Sequence, residues 1–166
     1  SRLILFAAPA SYVQRRWSKR RRPALLWEVM MITVLVSACL LGAPCRWHGN
    51  AVKPSSHVRS CKKKNPDVEV IPVCPEELGG LPTPRPPVKS IRGRLFQTCA
   101  DKAKRAAVTG DDVTAAFEAG AAATLAIAIK CNCKLAILCK SSPSCARLGI
   151  TGKLLEANGI KVVNTF

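Results

Sequence analysis

Ile32-Thr33-Val34-Leu35-Val36-Ser37-Ala38-Cys39 is the stretch whose reading decides the fold. Its β-branched residues favour a buried strand over a helix. The apolar run around it, Ala24 to Ala43, follows the basic stretch Arg15 to Arg22 and has the outline of a signal anchor. Glu28 interrupts it, however, and leaves Val29 to Ala43, short of the roughly 20 residues that a spanning helix needs. Read as a strand, the run ends on a cysteine. Two further apolar runs share that layout, Val68 to Val73 before Cys74 and Leu135 to Leu138 a few residues before Cys145. In a parallel sheet the loops leaving the carboxyl ends of the strands converge, so thiols distant in sequence would meet there. Such a meeting favours a metal or iron–sulfur site over a disulfide framework.

The segments between these runs fit alternating strands and helices. Ala51 to Asn65 crosses over and is at best partly helical, because Pro54 and the serines interrupt it. Pro75 to Pro87, dense in Gly and Pro, is expected to be a long rigid loop over the sheet end. Residues 88–110 are basic and irregular, with a short strand near Ile91 to Phe96. A helix starts after Gly110, with Asp111 or Asp112 as N-cap, and places Phe117, Gly120, Ala121, Thr124, Leu125 and Ala128 on one face. The strand Lys134 to Cys139 follows, then a helix from Gly152 to Asn158 stopped by Gly159, then a last strand from Ile160 to Asn164. The expected fold is α/β: a small open, mostly parallel sheet with helices on both faces, a Rossmann-like three-layer arrangement.

The chain has 166 residues, 48% of them hydrophobic, nine cysteines and a formal charge of +16. That length suits about one domain. An odd cysteine count without regular spacing argues against a fully stapled secreted fold. Much of the positive charge sits before residue 30, where Arg2, Arg15, Arg16, Lys19, Arg20, Arg21 and Arg22 oppose only Glu28. With few aromatic residues to stack on bases, specific nucleic-acid binding is not expected. Met30 and Met31 are candidate native starts, which makes residues 1–29 a basic leader outside the fold and residues 30–166 the single α/β domain.

Four sets of residues then carry a resemblance. Val36-Ser37-Ala38-Cys39-Leu40-Leu41-Gly42 with Cys45-Arg46 is the first; Pro72-Val73-Cys74-Pro75-Glu76 with Gly79-Gly80-Leu81-Pro82-Thr83-Pro84-Arg85-Pro86 is the second. Gly110-Asp111-Asp112-Val113-Thr114 with Phe117 and Gly120-Ala121, and Ser142-Pro143-Ser144-Cys145, complete the series. In this order they resemble a conserved bacterial family of formerly unknown function that includes the 2-thiouracil desulfidases. The resemblance covers about residues 31–145, and Asn158-Gly159-Ile160 is similar to the family's last strand.

The resemblance implies a [4Fe-4S] cluster held by three cysteines, which here correspond to Cys39, Cys74 and Cys145. It also implies a cytoplasmic enzyme that converts C=S to C=O on a thiolated nucleobase such as thiouracil, releasing sulfide without net redox. Water attack needs a proton acceptor, for which Glu76 is the candidate, with Ser142 as a positioning hydroxyl and Arg85 as a substrate contact. Cys45 is expected to be a thiol near the site rather than a ligand, and His48, where the family commonly has an acidic residue, a surface loop histidine. Cys61, Cys99, Cys131, Cys133 and Cys139 are expected to be incidental or buried thiols. After Cys145 the chain runs through Ala146-Arg147 almost directly into Leu148, so part of the pocket wall is expected to be shortened. The readings left open are zinc in place of the cluster, a non-catalytic remnant, and a lipoprotein anchored at Cys39, since Val36-Ser37-Ala38-Cys39 also has the form of a lipoprotein cleavage box.

Overall fold

The computed structural model describes residues 32–99 and 108–166. The proposed basic leader and the candidate start residues lie outside them. The elements run β1 (Thr33–Ser37), a 3-10 turn (Ala38–Leu41), α1 (Ser56–Lys64), β2 (Glu69–Val73), α2 (Pro75–Leu78), β3 (Val88–Ile91), β4 (Arg94–Thr98), β5 (Val108–Asp112), α3 (Thr114–Lys130), β6 (Leu135–Cys139), α4 (Ile150–Ala157) and β7 (Lys161–Thr165).

The main sheet has the order β2-β1-β6-β7, and each of its pairings is parallel. The central strands β1 and β6 are buried along nearly their whole length, with Leu35 and Leu138 fully enclosed. Both read as continuous apolar runs because a parallel strand is covered on both faces. Edge strands differ. Pro72 lies in β2 opposite Val36, and an edge position tolerates its missing N–H. The chain leaves β1 toward β2 on one side and later returns to place β6 on the other, so the strand order reverses between β1 and β6. That reversal opens a crevice at the carboxyl edge, the usual ligand position in such sheets.

Two sequence expectations change. Val88–Ile91, Arg94–Thr98 and Val108–Asp112 form a three-stranded antiparallel sheet, β3-β4-β5, where one strand in an irregular segment was expected. Arg92 and Gly93, both at positive φ, turn the chain in the middle of the strand expected from Ile91 to Phe96. The proline-rich stretch also begins with a helical turn, α2, because Pro75 stands at a helix start, where its missing N–H costs nothing. Leu95, Val113 and Phe117 form a small second core between the antiparallel sheet and α3. Asp112 precedes the N-cap Val113, yet its carboxylate still accepts the Thr114 N–H at 2.9 Å. No helix among the described residues is long and apolar enough to cross a membrane.

α2 and α3 touch backbone to backbone. A Cβ on Gly120 would overlap the Pro75 carbonyl, and one on Gly79 would overlap the Ala116 carbonyl. The small residues of α3 therefore fix the turn that directly follows Cys74. Gly120→Ala is expected to cost about 2 kcal/mol, the size of an overpacking strain, and to shift α2. Urea unfolding measures the first effect, and the near-ultraviolet dichroism of the folded variant reports the second.

Candidate functional site

A cavity of about 300 Å³ opens at the carboxyl edge of the main sheet. Cys39, Cys74, Cys145, Glu76, Ser142 and Arg85 all line it. Each arrives by its own local route. Cys39 sits in the 3-10 turn directly after β1, a turn closed by Gly42, whose φ of 92° a side chain would strain. Cys74 is the N-cap of α2. Cys145 is in the loop after β6, where Ser142 Oγ accepts the Ser144 and Cys145 N–H groups at 3.1 and 3.2 Å.

Glu76 and Arg85 form a nearly enclosed pair. One carboxylate oxygen takes both Nη2 (2.6 Å) and Nε (2.8 Å) of Arg85, and the other accepts the Ser142 hydroxyl at 3.0 Å. The remaining guanidinium N–H groups go to the Pro82 carbonyl, the Thr83 hydroxyl and the Cys45 carbonyl. All five donors of Arg85 thus meet protein acceptors, and only 3% of its side chain is exposed. Arg85 is therefore a clamp on Glu76 in this structure and has no free donor for a substrate.

Three residues reach the cavity that sequence reasoning had set aside. Cys139, expected to be incidental, is the last residue of β6, and its N–H donates to Ser37 Oγ at 3.0 Å across the sheet. The rule that selected the other cysteines, position at the carboxyl end of a buried strand, applies to it equally. His48 lies in a loop as expected, half-buried, but it also lines the cavity beside Trp47, its ring edge-on to the indole. Arg46 lines it too. Its Nη2 donates to Cys139 Sγ at 3.9 Å, and its buried Nε has no hydrogen-bond partner among the described residues. Cys61, Cys131 and Cys133 stand away from this cavity.

The thiols divide into donors and acceptors of protons. Hydrogen bonds from Cys139 and Cys45 hold Cys39 far below the usual thiol range, with the Arg46 charge adding to them against burial. Cys74 is lowered as well, chiefly by its hydrogen bond with Cys45. Cys45 and Cys139 are correspondingly raised, each first by the thiol it serves. Cys145 is pushed up to about 12 by burial, with Cys74, Glu76 and Cys39 adding negative charge nearby. Two of the three candidate ligands, Cys39 and Cys74, are thus lowered by thiols that surround them, and the third, Cys145, is raised.

This donor set fits an iron–sulfur cluster. Its candidate ligands are soft sulfurs from three separate loops, and the spare buried N–H of Arg46 lies on the wall of the same cavity.

Known proteins share the chain's pattern. The family model described as 2-thiouracil desulfurase matches residues 34–165. Uncharacterized protein YbbK of Bacillus subtilis (strain 168) is 35% identical over 148 residues, covering 79% of this chain and 94% of YbbK. The solved structure of the [4Fe-4S]-dependent thiouracil desulfidase TudS aligns with a TM-score of 0.64 at 31% identity, covering 80% of this chain and 90% of that one.

The Glu76–Arg85 pair yields a stability prediction. Arg85→Met strands a carboxylate inside the site and is expected to destabilise the fold by about 3 kcal/mol, whereas adding Glu76→Gln restores part of the loss. Chemical denaturation of the two single variants and the double variant measures this coupling.

Proposed function

The chain belongs to the 2-thiouracil desulfurase family, and on that premise we propose that it removes sulfur from a thiolated pyrimidine such as thiouracil. Water supplies the oxygen of the new C=O bond, the C–S bond breaks, and sulfur leaves as hydrosulfide without net redox. The observation that carries this reading is the set of Cys39, Cys74 and Cys145 around one cavity with Glu76 beside them. Cys39, Cys74 and Cys145 would hold a [4Fe-4S] cluster with one iron left open, and when bound it would supply a soft Lewis acid for the thiocarbonyl sulfur.

The chain's own groups handle the proton and the orientation. Glu76 would accept a proton from the attacking water through the lone pair that Ser142 leaves free on Oε1, both lone pairs of Oε2 being taken by Arg85. Arg85 fixes the plane of that carboxylate, so the acceptor is positioned before substrate arrives. Ser142 links the base to the Cys145 loop, because one hydroxyl both donates to Glu76 and accepts the Cys145 N–H. The pairing with Arg85 leaves Arg46 as the lining cation that no carboxylate neutralises among the described residues. It would offset negative charge as sulfide forms.

Anaerobic reconstitution with iron and sulfide tests the reading. A broad absorbance at about 400 nm is expected in the wild-type protein and its loss in Cys74→Ser. Glu76→Gln is expected to keep the absorbance while thiouracil turnover falls by a factor on the order of 100 to 10,000, the usual contribution of a general base. A Cys74→Ser protein with an unchanged cluster would contradict the ligand assignment, and full turnover by Glu76→Gln would contradict the role of the base.

A further inference from the structure

Cys45 is buried in the cavity wall without a place in the cluster triad, and it touches thiols on two sides. Its Sγ, the Cys74 Sγ and a Glu77 carboxylate oxygen lie within 4.8 Å of one another. Cys74 is the N-cap of α2 and Glu77 follows three residues later, a spacing that brings both side chains to the same end of the helical turn. The second element comes from the loop after the 3-10 turn, where the Cys45 carbonyl also accepts from Cys74 Sγ at 3.7 Å. Glu77 is oriented in turn, since its carboxylate accepts the Thr83 hydroxyl at 2.8 Å and that hydroxyl accepts from Arg85.

Tetrahedral zinc binds sulfur at about 2.3 Å and carboxylate oxygen at about 2.0–2.2 Å, so its ligand atoms stand roughly 3.5–3.8 Å apart. The three atoms lie within 4.8 Å of one another, so side-chain rotation is what has to bring them to that spacing. Two thiols and one carboxylate, the carboxylate held by the Thr83 hydroxyl, make a borderline-soft donor set with one position left for water.

We propose that the cluster-free chain binds one thiophilic divalent cation of the zinc class through Cys45, Cys74 and Glu77. Binding replaces the thiol protons of Cys45 and Cys74, which leave to solvent. Because Cys74 also belongs to the proposed cluster triad, the cation and the cluster exclude each other; this consequence, unlike the cation site itself, rests on the function proposed above. The site would thus make zinc an inhibitor of cluster assembly.

The experiment titrates the reduced, cluster-free full chain anaerobically with Co2+, then displaces it with Zn2+. Wild-type protein is expected to give tetrahedral cobalt bands with sulfur-to-metal charge transfer. Cys45→Ser is expected to weaken binding about 100-fold and Glu77→Gln about tenfold, with Cys61→Ser unchanged. Glu77 is exposed, so Glu77→Gln decides the matter if Cys45→Ser fails to fold. Undiminished bands in the folded variants would overturn the site and place the metal elsewhere, Cys131 and Cys133 being the obvious pair. Preloading with Zn2+ is expected to slow cluster uptake in the wild type but much less in Glu77→Gln. Equal uptake rates with and without zinc would overturn the exclusion. Normal cobalt binding in a chain that takes up no cluster under any condition would instead sink the desulfidase reading and leave the cation site standing.

Discussion

Parallel pairing of β1 with β2 on one side and β6 on the other is the constraint from which the rest of the structure follows. Parallel strands end at the same edge, so every loop that leaves a carboxyl end enters the same small volume. Cys39 leaves β1, Cys74 leaves β2, and Cys139 and Cys145 leave β6. No pair of them needs to be close in sequence. The buried centre of the sheet, with Leu35 and Leu138 fully enclosed, holds that edge in place. The cavity is consequently built on the carboxyl end of the buried centre of the sheet.

Within the cavity, charge is arranged in two compartments. Glu76 and Arg85 neutralise each other, and Ser142 ties the carboxylate to the Cys145 loop. On the other side, the Cys45 and Cys139 thiols hydrogen-bond to Cys39 beside Arg46. A buried ion pair adds little net stability, because desolvating two charges offsets their attraction. Its value here is positional. It fixes a carboxylate beside three cysteines of the same cavity, and the same clamp orients Glu77 through Thr83.

Much of this arrangement was legible in the residues. The four strands of the parallel sheet lie within a residue or two of the apolar runs, and for the central β1 and β6 continuous burial leaves a continuous apolar signature. The antiparallel sheet was less legible. β3 and β4 are short, half-exposed and basic, and their pairing depends on the Arg92-Gly93 turn more than on any hydrophobic period. Glu76 and Ser142 were found as chemistry-bearing residues near ligand motifs, but a sequence does not reveal hydrogen-bond saturation, so the clamp role of Arg85 emerged only from its five protein acceptors. Cys139 was passed over although the strand-end rule covers it, since attention fell on Cys145 a few residues later. The donor role of Arg46 had no signal beyond its place next to Cys45.

The central claim is that three sulfurs from separate strand ends gather around one inorganic centre and leave one coordination position open. Mössbauer spectroscopy of the protein reconstituted anaerobically with isotopically enriched iron tests it most directly. The account predicts a cubane in which one iron differs from the other three and changes its signal when a thiocarbonyl compound is added. Four equivalent irons that ignore the thio-compound, or iron held in no cluster at all, would contradict it.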